Sequence, residues 1–152
     1  MAKPSFIYVT YIASTPEQVW DALTTGETTE KYFFGRKVVS NWKEGSDVTY
    51  LRENDELDVF GKVLISKPYD KLAFTWFHAD EKPMRKEPSI VTFELQPLEG
   101  TVKLTLKHEH ISDGDIIEEE STFAGLNNGW PAILSNLKSL LETGKTLPAV
   151  VV

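Results

Sequence analysis

The chain of 152 residues carries 23 acidic and 16 basic side chains, a formal charge of -7, with 41% hydrophobic residues, 11% aromatic residues and no cysteine. Its length and apolar content suit a single domain, spanning 1–152, with a sizeable core. The negative balance opposes phosphate backbones and anionic lipid, so neither nucleic acid nor membrane is an expected partner, and without cysteine there is no disulfide, thiolate nucleophile or Cys-ligated zinc.

Residues 1–5 offer no apolar leader core, and no stretch approaches the roughly 20 apolar residues of a membrane span. Cytoplasmic residence is expected by elimination. Residues 6–13 (FIYVTYIA) are β-branched and aromatic throughout, which predicts a strand buried or half-buried on both faces. Thr15-Pro16-Glu17 then reads as a helix start: a capping hydroxyl, proline at the first helical position and an acid near the positive end of the dipole. Val19, Trp20 and Leu23 share its inward face. A second short helix is expected over 27–34, where Tyr32, Phe33 and Phe34 return the chain to the core.

From Lys37 to His110, turn signals separate runs expected to be strands near 37–41, 47–53, 58–66, 71–78, 89–96 and 101–110. In the last two runs Val91, Phe93 and Leu95, then Val102, Leu104, Leu106 and His108, alternate with polar residues. One face is therefore core and the other water. The period changes in the last third: Trp130, Ile133, Leu134, Leu137, Leu140 and Leu141 recur every three or four residues, an amphipathic helix. Asn127 or Asn128 offers a cap, Pro131 suits a first turn and Gly144 a stop. Periodicity leaves open whether 115–126 is helix or loop.

The order strand, two short helices, six strands and long helix buries its apolar faces only if the sheet curls around the last helix. This predicts an α+β helix-grip fold, with a curved antiparallel sheet of six to seven strands. Ala13-Ser14-Thr15-Pro16-Glu17 with Val19-Trp20 and Leu23, Trp42 before Glu44-Gly45, Gly61 with Val63, and Leu72 to Trp76 after Pro68 occur in this order. They are followed by His108-Glu109-His110 and by Gly129-Trp130 leading to Leu137-Lys138 and Leu141-Glu142-Thr143-Gly144. In this order and spacing the chain resembles the SRPBCC or START-like superfamily over about residues 5–145. Within it, the chain is similar to the group named after the activator of heat-shock protein 90 ATPase, specifically to the C-terminal domain of that two-domain co-chaperone. The resemblance implies a deep cavity between sheet and C-terminal helix, used elsewhere in the superfamily for lipids, sterols, polyketides or plant hormones.

Strand parity puts His78 with Phe74 and Trp76, and puts His108 and His110 with Leu104 and Leu106, so all three histidines are expected on the concave side. His-x-His on a strand can present two ligands to one metal, with His78 or Glu109 as a third; Glu109 faces the other way, and no further acid stands at a suitable spacing. Metal and cofactor are not expected. Glycine patterns for phosphate are missing too, since no Lys-Ser/Thr follows Gly125 or Gly129, and no serine is placed near a histidine by any motif.

The residues expected to line a ligand site are Phe74, Trp76, His78, Phe93, His108, His110, Phe123, Trp130 and Leu134, although aromatics in such positions equally serve as plain core. Trp76 and Trp130 are expected on opposite walls. Arg52 can anchor an acidic ligand group or simply snorkel at the surface, and Glu118-Glu119-Glu120 reads as a solvated face. The expected function is binding of a small apolar or aromatic molecule. Two alternatives stand beside it: a cyclase or aromatase using His108 or His78 as general acid or base, and a co-chaperone-like module with a protein partner.

Overall fold

An uncharged run, Ser5–Ile12, forms strand β1, and Thr15 caps the helix that follows it. The Thr15 hydroxyl accepts the Gln18 N–H at 3.2 Å, and Pro16 takes the first position of α1, Pro16–Thr24, whose Val19, Trp20, Ala22 and Leu23 are buried. Helix α2, Gly26–Tyr32, leads into β2, Lys37–Val39, and β3, Asp47–Leu51. The remaining strands are β4, Leu57–Lys67, β5, Lys71–His78, β6, Ser89–Leu98, and β7, Thr101–Glu109. A 3₁₀ turn at Asp113–Asp115 precedes helix α3, Leu126–Thr143. This computed structural model describes residues 5–81, 86–118 and 125–148; no helix among them is long and apolar enough to cross a membrane.

The seven strands form one sheet in the order β1-β7-β6-β5-β4-β3-β2, antiparallel at each junction. Its inner face carries the core, from Val48 and Tyr50 through Val63, Phe74 and Phe93 to Leu104 and Leu106. The curl is visible at one residue. A Cβ on Gly61 would lie 1.8 Å from the Thr75 carbonyl oxygen, a separation no side chain survives. There the β4–β5 pairing lapses between Phe60–Phe77 and Val63–Phe74, where the Thr75 hydroxyl accepts the Lys62 N–H at 2.8 Å in place of a ladder bond, and the register shifts just beyond, between Val63 and Ile65. Glycine is needed at Gly61 because the two backbones close up where the sheet folds over the helix.

Strand β1 departs from the sequence expectation. It is an edge strand, with Ile7 (57% exposed) and Tyr11 (50%) on its outer side, so only one face is covered. The outer face of an edge strand has no layer above it, and an apolar run does not reveal that. In α3, Trp130, Ile133, Leu134 and Leu137 face the sheet, and Gly144 ends the helix at φ 83, its N–H donating to the Leu140 carbonyl at 2.8 Å. The helix begins earlier than the asparagines suggested. Gly125 is the cap residue, and the side chains of Asn127 and Asn128 instead bond the backbone of Ile117, tying the incoming loop to the first turn. Pro131 consequently lies beyond the first turn. Leu141 is half-buried rather than buried, because the last turn of α3 runs along the sheet edge, where Lys138 Nζ donates to the Tyr11 carbonyl at 2.6 Å.

Two outcomes follow for this helix. Leu137→Ala, at a fully buried position, should cost about 2–5 kcal/mol of unfolding free energy and Leu141→Ala about 1 kcal/mol or less in denaturant titrations; equal costs would mean that the helix seats differently. Glu142 accepts the Ala13 N–H at 2.8 Å and Lys138 Nζ at 2.7 Å. The backbone bond first, and the lysine second, lower its pKa below the ordinary glutamate value. Its contribution is therefore present above the unfolded-state pKa and lost as pH falls through the folded one. Thermal melts from neutral pH downward should show part of the acid sensitivity disappearing in Glu142→Gln, and an unchanged pH profile would remove the clip from the stability account.

Candidate ligand cavity

Helix α2 ends in a way that aims two aromatic rings. Phe33 donates its N–H to the Thr29 carbonyl, and Phe34 (φ 51) and Gly35 (φ 81) both take the left-handed conformation before Arg36 turns into β2. Phe33 packs on Tyr50 at 5.1 Å and edge-on to Trp130 at 5.8 Å between ring centroids. Burial pushes the Tyr50 phenol well above its ordinary pKa, so that ring is a neutral support behind Phe33. Phe33 and Phe34, with Trp76 and His78 of β5, Ile117 of the incoming loop, and Leu126, Trp130 and Ile133 of α3, line a cavity of about 320 Å³ that opens to solvent at one side. Such a volume is at the lower end for small-molecule sites.

Trp76 and Trp130 do not stand on opposite walls. Their rings are 5.4 Å apart and inclined at 54°, so they form one continuous aromatic surface, and Phe33 and Phe34 belong to the cavity lining as well. The two strands and the helix approach too closely at that level for a ligand to separate the indoles.

Behind this surface lies a buried polar chain. The Trp130 indole N–H donates to His108 Nδ1 at 3.0 Å, and His108 Nε2 lies 2.8 Å from Ser89 Oγ, whose hydroxyl donates to the Trp76 carbonyl at 3.1 Å. An indole nitrogen can only donate, so His108 Nδ1 is an acceptor and the ring proton sits on Nε2, pointing at the serine. Every bond then runs in one direction, from indole to imidazole to hydroxyl to carbonyl. A serine and a histidine in contact suggest nucleophilic catalysis, but this tautomer points the histidine proton at the oxygen it would have to deprotonate. A void of about 10 Å³, the scale of one water, touches Ser89, His108, His78 and Asp115.

The mouth is charged. Asp58, on β4 and largely buried, accepts from Arg36 Nε at 3.2 Å through Oδ2 and from Arg52 Nε and Nη2 at 3.1 and 3.0 Å through Oδ1. Arg52 also bonds Asp80, whose side chain is 71% exposed. Hydrogen bonds to Asp80 first and Asp58 second raise the Arg52 pKa further, fixing its charge. Arg52 is thus an ion-pair residue rather than a free surface cation. Asp115 faces the cavity from the loop and accepts the Ser112 N–H at 2.8 Å.

Of the residues singled out in the sequence, Trp76, His78 and Trp130 line this cavity, and His108 lies behind it, 1% exposed. Phe74, Phe93 and Leu134 are buried one layer back, with Phe74 6.1 Å from Trp76 and Phe93 6.0 Å from Trp130. They support the wall without reaching the cavity. His110 is exposed and lines none of the cavities found among the described residues: β7 ends at Glu109, and His110 at φ 59 breaks the alternation that was to carry it inward. Phe123 lies outside the described residues. Sequence reading missed Phe34, Arg36, Asp58 and Asp115 as site residues. The aromatic triplet before Gly35-Arg36 was a usable signal; the pairing of Arg36 and Arg52 on Asp58 was not, because it joins three separate segments. No group of three or more acidic or histidine side chains among the described residues is arranged to hold a metal.

A sheet gripping its C-terminal helix over an apolar cavity defines a helix-grip domain. The family model described as Activator of Hsp90 ATPase homolog 1-like protein matches residues 13–142, and the chain belongs to that family. Among solved structures it is similar to a Mesorhizobium loti protein (23% identity, 91% of this chain and 96% of that one, TM-score 0.73). It is also similar to the Aha1 dimer from Colwellia psychrerythraea (24%, 93% and 98%, 0.69) and to an HSP90 activator from Plasmodium falciparum (24%, 90% and 95%, 0.67). At these identities the shared property is the fold. No curated protein matches the sequence significantly.

The tautomer is directly measurable. Long-range proton–nitrogen correlation spectra at neutral pH should show His108 protonated on Nε2 with an acceptor-type Nδ1; a proton on Nδ1 would mean that Trp130 is not its donor and would reopen the catalytic role.

Proposed function

We propose that the protein binds a small aromatic molecule in the cavity between the sheet and α3, acting as a carrier or sensor. The observation that carries this reading is a cavity of about 320 Å³ walled by Phe33, Phe34, Trp76 and Trp130 between the sheet and α3 and open to solvent at its charged mouth. The tryptophan N–H groups are already engaged, Trp130 with His108 at 3.0 Å and Trp76 with His78 at 3.4 Å, so the inner wall offers ring faces rather than hydrogen bonds. That suits a flat apolar ring.

A cyclase-like role requires a histidine that exchanges a proton with substrate. His108 is shielded by Trp130 on one nitrogen and Ser89 on the other, which favours a positioning role. The co-chaperone reading is favoured by kinship with the Plasmodium HSP90 activator and needs a surface rather than a cavity. Ile7, Val9 and Tyr11, exposed together on β1, are apolar residues available to it.

Titration with naphthylethanol, followed by the four tryptophan indole N–H signals in proton–nitrogen spectra, tests the proposal. Trp76 and Trp130 should shift, whereas Trp20, in α1, and Trp42, whose N–H donates to the Thr24 carbonyl at 2.8 Å, should stay. Shifts confined to Trp20 and Trp42 would put binding elsewhere, and no shift at all would leave the protein-binding reading in front.

A further inference from the structure

Resting on the small-ligand reading, the geometry points to Arg36 as the residue that selects the ligand's head group, and to an aromatic carboxylate as the class of ligand. The cavity is apolar at depth and polar at its mouth, so a ligand that fills it carries its ring inward and its polar group outward. Arg36 is at that mouth. Its side chain is 27% exposed and makes two hydrogen bonds, Nε to Asp58 Oδ2 at 3.2 Å and Nη1 to the Phe34 carbonyl at 3.0 Å. Nη2 has no partner among the described residues, and a guanidinium with donors to spare accepts a planar carboxylate in paired geometry.

Charge decides between an acid and an amine. Asp58 lines the cavity too, yet both of its oxygens already accept from arginine. Arg36 and Arg52 share that one carboxylate, and of the two arginines Arg36 is the one that lines the cavity. Arg52 is paired further with Asp80 and, at 3.8 Å, with Glu56, which are 71% and 64% exposed and screened by water, so they offset Arg52 from outside and do little at the cavity. Helix α3 adds the same sign, since Gly125 and Leu126 bring its N-terminal end to the cavity wall. Asp115 opposes from the loop side, with one oxygen on the Ser112 N–H. An anion seated against Arg36 is favoured, whereas a cation there faces the guanidinium directly.

The test compares naphthylacetic acid, naphthylethanol and naphthylethylamine, which share ring and chain, by calorimetric titration of the intact protein at neutral pH. The acid should bind about tenfold or more tighter than the alcohol, and the amine more weakly than either. In Arg36→Gln the ratio of acid to alcohol affinity should fall to about one, whatever happens to the two affinities together, and Arg36→Lys should keep part of that ratio. Equal binding of acid and alcohol to the parent protein, or an amine that binds best, would overturn the assignment of Arg36 while leaving a small-ligand cavity intact. If none of the three binds the parent, both readings fall. The comparison within the parent protein holds whether or not the Arg36 variants fold.

Discussion

The hydrogen bond from the Trp130 indole to His108 is the contact on which the rest of the cavity depends. It joins the first turns of α3 to the last inward-facing residue of β7, at 3.0 Å and out of water. A buried indole N–H left without an acceptor costs about 1–3 kcal/mol, and so does an unmatched imidazole nitrogen, so the two residues hold each other in place. The helix entrance is fixed with them. Once Trp130 is docked, its ring completes the aromatic surface with Trp76 and Phe33, and Leu126 and Ile133 form the cavity wall on either side of it.

That arrangement also separates two layers of polarity. Deep in the domain, the indole, imidazole, hydroxyl and carbonyl satisfy one another in a closed sequence, which suits low-dielectric surroundings where an unpaired group would be expensive. At the mouth, Arg36, Arg52 and Asp58 are held in ion pairs at 3.0 to 3.2 Å but keep contact with solvent. The apolar rings lie between the two. The cavity wall therefore presents ring faces, with the hydrogen-bonding side chains at the mouth.

Curvature makes this separation possible. At Gly61 strand β4 folds closely against β5, and the sheet can then wrap far enough for β1 at one end and β2 at the other to approach opposite sides of α3 and α2. The C-terminal turn of α3 is fastened to β1 by Lys138 and Glu142, while its N-terminal turns stand over the cavity. The helix is gripped firmly at one end and bears the site at the other.

The sequence by itself determined the elements, because each is written in local periodicity: alternation in β6 and β7, spacing of three and four in α3, and Thr15-Pro16 and Gly144 at helix ends. It also indicated Trp76, His78, His108 and Trp130, since parity along a regular strand or helix carries direction. Where regularity stops, parity stops carrying direction, and His110 one residue past the end of β7 points to water. Tertiary structure alone decided that Trp76 and Trp130 share a wall, that β1 lies at an edge, and that Arg36 and Arg52 meet on Asp58. Those facts depend on distances between segments far apart in the chain, set by the bend at Gly61 and the docking of α3, and no local pattern encodes them.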